Sequence, residues 1–183
     1  MRQKIEFIPF KSTSDKGWNE AWALYEAAFP LKESRSLADH LRALEDPLFS
    51  ADGIWRDEQF VGIFFYWKCA GYYYGEHLAI SPALRGQDIG STVLAAFCDM
   101  AGRVILEIEP PVDDLSIRRL HFYQRAGFTE NPHEYIHPSF REPFEPHKLV
   151  LMSYPYPIDA DITRKFERFV HDTVLKYSEH HKD

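Results

Sequence analysis

The segment from residue 72 to residue 102 constrains the fold most strongly, because it places a strand, a glycine-containing loop and a helix in direct succession. Tyr72 to Ser81 has the aromatic and apolar composition of a β-strand, and Pro82 ends it. Side chains alternate between the two faces of a strand. One face is therefore predicted to carry Tyr72, Tyr74, Glu76, Leu78 and Ile80, and the other Tyr73, Gly75, His77 and Ala79.

A helix is predicted to follow from Ile89 to Ala101. Its apolar residues fall on one side, and Gly102 stands where a helix C-terminus favours a left-handed residue. In the intervening loop and first helical turn, residues 85–91, backbone amides point into a common concavity where the helix dipole favours negative charge. The guanidinium group of Arg85 can donate two hydrogen bonds to one phosphate group. The segment predicts a diphosphate site, and a loop that uses glycine only for its positive φ is the alternative.

Strands and helices follow one another in mixed order along the rest of the chain. Ser14 or Asp15 is predicted to cap a helix ending at Ala28, and Ser36 or Asp39 to open a second helix. The other predicted elements are strands 5–10, 54–56, 60–67, 104–108 and 149–153, a strand starting at Phe128, helix 116–126 and a last helix opened by Asp161. Hairpins come first and a strand–helix–strand–helix–strand passage later, which favours a mixed-sheet α/β domain.

Composition limits the classes of function. The 183 residues are 45% hydrophobic and carry a formal net charge of −7, which fits one globular domain and disfavours nucleic acid as a partner. The acidic balance suits a cationic small molecule better. Cys69 and Cys98 are too few for a disulfide framework or a thiolate zinc site. Since no signal peptide and no membrane-length apolar run is recognisable, we expect a cytoplasmic protein without a membrane partner.

Arg85-Gly86-Gln87-Asp88-Ile89-Gly90 resembles the pyrophosphate motif Gln/Arg-x-x-Gly-x-Gly/Ala of the GNAT superfamily of acyl-CoA-dependent N-acetyltransferases. The strand end at residues 78–82, the strand at 104–108 and the passage at 120–128 are similar to that family's other landmarks, in the same order. The resemblance implies a mixed, mainly antiparallel central sheet with helices on both faces. Residues 1–155 would form the acyltransferase domain, and residues 156–183 an amphipathic helix docked on it or at a dimer contact.

Acyl transfer to an amine needs a base for the amine proton and an acid for the departing thiolate. By resemblance, Glu76 is the first candidate for the base, Glu107 the second, and Tyr123 the acid that protonates the CoA sulfur. The alternative is that the two carboxylates are salt-bridged or solvent-facing strand residues and that Tyr123 is a packed aromatic. The resemblance also implies cofactor contacts from Leu78, Ala79, Ile80, Arg85, Gly86, Gln87, Asp88, Ile89, Gly90, Ser91 and Ser116.

Two positions depart from the family pattern. Asp88 replaces the first motif glycine and puts a carboxylate beside the expected diphosphate. As N-cap of the helix, it is expected to accept hydrogen bonds from the amides of Gly90 or Ser91, in competition with the ligand. Ser116 stands where an asparagine often opens the fourth helix, and its hydroxyl reaches less far. Both departures bear on the affinity for the cofactor.

The hypothesis is therefore an N-acetyltransferase that moves an acetyl group from acetyl-CoA to a primary amine of a small molecule or peptide, without a metal, as a monomer or homodimer. A non-catalytic acyl-CoA-binding module is one alternative. A zinc hydrolase is another, because residues 133–137 read His-Glu-x-x-His. Pro138 leaves room there for only a short helix, and on a strand His133 and His137 would stand about 13 Å apart, so neither geometry favours a shared metal.

Overall fold

The computed structural model describes residues 4–181, which form an eight-stranded mixed sheet covered by helices. The strands are β1 (Ile5–Pro9), β2 (Phe49–Arg56), β3 (Gln59–Cys69), β4 (Tyr72–Ile80), β5 (Val104–Ile108), β6 (Thr129–Glu130), β7 (Tyr135–His137) and β8 (His147–Tyr154). The α-helices are α1 (Trp18–Ala28), α2 (Leu37–Ala43), α3 (Ile89–Ala101), α4 (Asp114–Arg125) and α5 (Ala160–Asp172). Short 3₁₀ helices cover Leu31–Glu33, Pro82–Leu84, Val174–Tyr177 and Glu179–His181.

The strands lie in the order β1–β2–β3–β4–β5–β8–β6, and β7 pairs with β8. All strand pairs are antiparallel except β4–β5, which is parallel and is connected through α3. A parallel pair needs such a crossover, because the chain must return to the same end of the sheet before it can pair again. The predicted mixed, mainly antiparallel sheet is confirmed.

Apolar residues fill two cores, one on each face of the sheet. On one face, α1, α2 and α5 contribute buried side chains such as Tyr25, Ala43 and Phe166. On the other face, α3 contributes Val93 and Phe97, and half-buried side chains of α4 pack beside them. Helices therefore cover both faces, as predicted. No helix within residues 4–181 combines the length and the apolar character that crossing a lipid bilayer requires.

β4 contains a bulge at Glu76. On β3, Tyr66 pairs with Gly75 whereas the adjacent Phe65 pairs with His77. Glu76 is therefore an extra residue with no partner on β3. A bulge of this kind shifts the alternation of side chains by one residue and bends the strand.

The bulge overturns the predicted faces of β4. Tyr74 and Ala79 share the core under α1 and α5, although simple alternation puts them on opposite faces. Leu78 and Ile80, predicted to share the face of Tyr74, pack against the core under α3. The single alternating face predicted from residue 72 to residue 80 is wrong beyond the bulge, because one inserted residue moves every later side chain to the other face.

The start of α1 also differs from the prediction. The helix begins at Trp18, and its N-cap is Gly17, whose left-handed backbone (φ 86°) favours glycine. The predicted caps, Ser14 and Asp15, lie in the preceding turn. There the Asp15 carboxylate accepts a hydrogen bond from the amide of Lys11 at 2.6 Å. The Asp15 carboxylate therefore stabilises this turn and does not cap α1.

Side-chain caps set the starts of three other helices. The Asp113 carboxylate accepts from the amide of Ser116 at 2.8 Å, so α4 begins before the predicted Ser116. The Asp159 carboxylate caps α5 in the same way through the amide of Ile162, and α5 begins just before the predicted Asp161. The Ser36 hydroxyl caps α2, as predicted.

The C-terminal helix packs against the sheet. Phe166 is fully buried, and its ring centroid lies 4.9 Å from that of Tyr74 and 5.5 Å from that of Tyr135. Tyr177, predicted on the same helix, lies beyond the end of α5 and stacks on Trp67 at 5.9 Å. Helix α5 thus packs against Tyr74 and Tyr135, the two tyrosines whose hydroxyls lie near Glu107.

Phe166→Ala is expected to lower the free energy of unfolding by about 3–5 kcal/mol, because it opens a cavity between α5 and the sheet. Urea denaturation measures the effect. Phe144→Ala is the matched control, since the Phe144 side chain is exposed and stacks only on His180. Equal losses in the two variants would contradict the packing of α5 described above.

Candidate active site

The parallel ladder between β4 and β5 ends early. Its last pair is Gly75–Leu106, yet β4 continues to Ile80 and β5 to Ile108. The bulge at Glu76 lies directly after this last pair, which is where a bulge bends a strand away from its neighbour. We call the region between residues 76–80 of β4 and residues 107–108 of β5 the wedge. Three residues with predicted cofactor contacts, Leu78, Ala79 and Ile80, lie on its β4 side.

The predicted anion loop leads from the wedge into α3. Arg85, Gly86, Gln87 and Asp88 are all exposed, Ile89 is buried, and Gly90 and Ser91 are half-buried. Gly86 has a left-handed backbone with φ 79°, so the loop does use a glycine at a position that demands one. The guanidinium of Arg85 is free to meet an anion from solvent.

Asp88 is the N-cap of α3, as predicted, but it does not cap through its side chain. Its carboxylate accepts no hydrogen bond from the first turn of the helix, and its backbone is left-handed with φ 59°. Side-chain capping needs an extended backbone at the N-cap, from which the side chain can reach forward. The expected hydrogen bonds to Gly90 or Ser91 are therefore absent. The first-turn amides carry no side-chain cap that a ligand would have to displace.

Glu76, the first candidate for the base, is held in a buried ion pair with Arg35. Arg35 Nη1 and Nη2 each donate to one carboxylate oxygen at 2.7 Å, and both side chains are almost completely buried. Trp67 Nε1 also donates to Glu76, at 3.2 Å. Burial alone would raise the pKa of this carboxyl, but the Arg35 guanidinium and His77 hold it well below its ordinary value. Both oxygens are thus committed to partners.

Glu107, the second candidate, has one oxygen without a partner. Its Oε1 accepts a hydrogen bond from the Tyr74 hydroxyl, while its Oε2 is buried and accepts none from the residues that the structure describes. Tyr135 lies nearby, and its own hydroxyl is also buried without a hydrogen-bond partner. Burial and then the charge of Glu107 raise the pKa values of Tyr74 and Tyr135 well above the ordinary range. Both phenols therefore stay protonated as donors beside the carboxylate.

Tyr123 lies on α4, on the opposite face of the sheet from Glu107. Its half-buried ring packs against Phe122 and Phe128, with centroids 5.1 and 5.6 Å away. Burial raises the pKa of its hydroxyl to about 12. The group stays protonated at neutral pH and can donate its proton to negative charge that develops on a departing sulfur beside it.

Ser116 contributes to helix capping. Its hydroxyl oxygen accepts from the amides of Val112 and Asp113 at 3.0 and 3.1 Å, and its proton can go to the carboxylate or the carbonyl oxygen of Asp113. The side chain is buried at 2% exposure. In this arrangement Ser116 has no hydrogen-bonding capacity left for a cofactor.

The His-Glu-x-x-His segment does not form a helix. Its last three residues are strand β7, and His133 Nε2 lies 2.9 Å from the carbonyl oxygen of Ile158. His137 faces Glu107 instead, with its Nε2 3.9 Å from Glu107 Oε2. A zincin site needs both histidines on one face of a helix. Within residues 4–181, no three side chains of the metal-binding types converge on a common point.

Four residues near the wedge escaped the sequence analysis: Arg35, Glu33, Tyr135 and His147. Arg35 is separated from Glu76 by 41 positions, and no local pattern marks either as the other's partner. The pairing of His137 with His147 between β7 and β8 does have a sequence signal. Two short polar segments flank a proline-rich connection there, which is a weak indication of two paired strands.

Comparison with known proteins agrees with this geometry. Residues 51–130 match the family model "Acetyltransferase (GNAT) domain". No curated protein is significantly similar to the chain in sequence. A solved structure from Bacteroides thetaiotaomicron, assigned to the GNAT family of acetyltransferases, is 28% identical, with a TM-score of 0.87 over 93% of this chain and 98% of that one.

Two more distant structures share the fold. The ribosomal-protein-S18-alanine N-acetyltransferase of Escherichia coli is 12% identical with a TM-score of 0.57, over 87% of this chain and 97% of that one. A GNAT family acetyltransferase from Elizabethkingia anophelis with acetyl-CoA bound is 13% identical with a TM-score of 0.54, over 81% and 96%. The strand ladder that ends at the bulge and the glycine-containing loop before α3 lie within residues 51–130, the part of the chain that is similar to the GNAT acetyltransferase domain. Together with the fold shared with these solved structures, this similarity indicates an acyltransferase.

Proposed function

We propose that this protein transfers an acetyl group from acetyl-CoA to a primary amine of a small molecule or peptide, with Glu107 as the base. The observation that carries the proposal is the buried Oε2 of Glu107, which lies 3.9 Å from His137 Nε2 and has no hydrogen-bond partner among residues 4–181. Glu76 is a poorer base, because its proton affinity is lowered by Arg35 and neither oxygen is free. We therefore propose a structural role for Glu76.

The loop before α3 supports acetyl-CoA as the donor. Arg85 is exposed and the first turn of α3 has no side-chain cap, so a diphosphate can bind the free amides and the guanidinium together. The wedge begins directly beside this loop, since β4 leads into it. The structure from Elizabethkingia anophelis, which shares the fold, contains acetyl-CoA.

Carboxylates near the wedge favour a cationic acceptor. Glu33, in the 3₁₀ helix before α2, is partly buried, and burial together with the charge of Glu109 raises its pKa. Glu107 lies two positions before Glu109 on the same segment. An ammonium group brought among these carboxylates would gain favourable charge interactions that a neutral or anionic acceptor would not. The net charge of −7 acts in the same direction at longer range.

In the proposed reaction, Glu107 takes a proton from the ammonium group, and the neutral nitrogen attacks the thioester carbonyl. The new C–N bond forms as the C–S bond breaks. Tyr123 gives its proton to the departing thiolate, and the second proton of the attacking nitrogen replaces the one that Tyr123 loses. The products are the acetylated amine, CoA as the free thiol, and one proton to be removed from Glu107.

Turnover of acetyl-CoA with a polyamine, an aminoglycoside, an amino acid and a peptide with a free N-terminus tests the proposal directly. Acetylated product identified by mass spectrometry supports it. Saturable binding of acetyl-CoA without transfer to any primary amine would favour the non-catalytic binding module instead.

Glu107→Gln is expected to lower kcat by about 10²–10⁴-fold, because it removes the base while keeping the shape of the side chain. Glu76→Gln is expected to act on stability instead, since it leaves Arg35 buried without a countercharge. That loss should reach about 3–5 kcal/mol in urea denaturation. Equal rates for Glu107→Gln and the wild type would contradict the assignment of the base.

The stability of the wild type should also depend on acid in a defined direction. Because the folded-state pKa of Glu76 is lowered, the ion pair contributes fully above the unfolded-state value of about 4.3. That contribution is lost as the pH falls through the folded-state pKa. Glu76→Gln should remove this part of the acid dependence.

Tyr123→Phe is expected to lower kcat by about 10²–10⁴-fold with little change in the KM for acetyl-CoA, because only the thiolate proton is lost. Tyr156→Phe is the matched control, since the Tyr156 side chain is 67% exposed. Steady-state kinetics at saturating amine separate the two parameters. A change confined to KM would show that the Tyr123 hydroxyl binds the cofactor and does not protonate it.

Asp88→Asn is expected to tighten CoA binding, most at low ionic strength, because it removes a charge close to the diphosphate. The melting temperature of the free protein should stay unchanged, since the Asp88 carboxylate makes no capping hydrogen bond and asparagine tolerates the left-handed backbone. Calorimetric titration with CoA measures the affinity, with Asp99→Asn, at the exposed end of α3, as control. Weaker binding would mean that the Asp88 carboxylate holds the loop in its binding conformation.

A further inference from the structure

Buried polar atoms without partners are concentrated around Glu107. They include Oε2 of Glu107, Nδ1 of His137 and both ring nitrogens of His147. Such atoms lose their hydration without gaining a hydrogen bond, so native proteins contain few of them. Four such atoms on three neighbouring side chains require a functional explanation.

These groups form a continuous row from the wedge toward the surface. His137 Nε2 lies 3.9 Å from Glu107 Oε2, and the rings of His137 and His147 are 5.6 Å apart between centroids. His147 Nε2 lies 3.9 Å from Oε1 of Glu33. Small side-chain rotations convert separations near 4 Å into hydrogen bonds, and such contacts often tighten when substrate binds. We call the four residues Glu107, His137, His147 and Glu33 the relay.

The sheet holds the two histidines side by side. His137 and His147 are direct partners in the antiparallel pair β7–β8, and directly opposed side chains of such a pair lie on the same face. Exposure rises along the row. The side chain of His137 is 4% exposed, that of His147 16% and that of Glu33 25%. The row therefore connects a buried carboxylate with one that reaches water.

The surroundings favour a neutral imidazole at His147. Burial lowers its pKa, and the nearby His137 and Lys32 lower it further. Glu107 and a backbone contact at Glu145 act in the opposite direction but do not reverse the shift. The Tyr135 ring lies 6.4 Å from that of His137 between centroids, and its phenol stays protonated. A neutral imidazole can accept a proton at one nitrogen and release one from the other.

We propose that His137 and His147 carry the amine proton from Glu107 to Glu33 and from there to solvent. This proposal rests on the proposed function of Glu107 as the base. When an ammonium substrate binds, its N–H bond breaks and an O–H bond forms on Glu107. The proton then passes to Nε2 of His137, onward to His147 and out through Glu33, so that one proton reaches water for each amide formed. Each ring ends the passage as its other tautomer, and loss of a proton at one nitrogen with gain of a proton at the other restores the starting tautomer before the next turnover.

His147→Gln is the decisive variant, because His147 is the partly exposed member between His137 and the surface. We expect its kcat for the best amine of the panel to fall about 10- to 100-fold in weakly buffered solution, with the KM for acetyl-CoA unchanged. The solvent deuterium isotope effect on kcat should increase, since proton removal becomes slower than acyl transfer. Added 1,2-dimethylimidazole, a hindered base, should restore the rate of amide formation by taking the proton directly.

His171→Gln, on the exposed end of α5, is the matched control and should behave like the wild type. Glu107→Gln should lose activity that the added base does not restore to the same extent, because the group in contact with the amine is missing. His137→Gln should resemble His147→Gln, and circular dichroism establishes that each variant is folded.

Two results for His147→Gln would overturn the relay alone. An unchanged kcat and isotope effect in His147→Gln, with Glu107→Gln inactive, would refute the relay and leave the proposed base intact. A loss of kcat in His147→Gln without base rescue and without a change in the isotope effect would assign His147 a purely structural role. Full activity of Glu107→Gln, or no transfer to any amine, would instead refute the proposed function and the relay together.

Discussion

The buried ion pair between Arg35 and Glu76 is the interaction on which the rest of the site depends. Glu76 is the bulged residue of β4, and Arg35 lies in the segment just before α2. Removing both charges from water has a large cost, which is offset only by two well-aligned hydrogen bonds and further partners. The guanidinium meets that condition, with two 2.7 Å hydrogen bonds to the carboxylate and an aromatic ring, Phe140, 4.6 Å below it. The pair holds the bulge, and the bulge ends the parallel ladder.

The backbone around Arg35 is hydrogen-bonded to two other parts of the chain. Its amide donates to the Tyr25 hydroxyl at 2.8 Å, which links it to α1. Arg141 donates to the carbonyl oxygens of Ser34 and Arg35 at 3.0 and 2.8 Å, which links it to the connection before β8. Through these hydrogen bonds, the ion pair is linked to α1 and to the connection before β8, which lie on the same face of the sheet as Glu76. Rigid support of this kind is what positions reacting groups well.

Two glutamates on one face of the sheet thus have opposite electrostatic environments. Glu76 is saturated by a cation and by Trp67. Glu107 has one phenolic donor, Tyr74, and a second oxygen that has no hydrogen-bond partner among residues 4–181 and lies near His137 and the Tyr135 phenol. Strong pairing makes a carboxylate a stable structural anchor and a weak base, while an unpaired oxygen keeps its ability to bind a proton. The division of roles proposed for the two residues follows from this difference.

The sequence by itself determined the class of fold, the strand–loop–helix segment and the glycine-containing loop for which we propose diphosphate binding. Those features depend on neighbours within a few positions: the run of aromatic and apolar residues before Pro82, the glycine at position 86 with its positive φ, and the helical spacing from Ile89 to Ala101. Local chemistry is sufficient for them, because turn, cap and strand preferences act over short stretches of chain.

Only the tertiary structure decided which carboxylate is free. Glu76 and Glu107 look alike in sequence, as single acidic residues within apolar strands, and Arg35 lies 41 positions from its partner. The bulge that reverses the faces of β4 comes from pairing with β3, and the neighbours His137 and His147 meet Glu107 through the pairings of β8 with β5 and β7. The proton affinity of a buried group depends on everything packed around it, and in this protein those groups come from segments far apart in the chain.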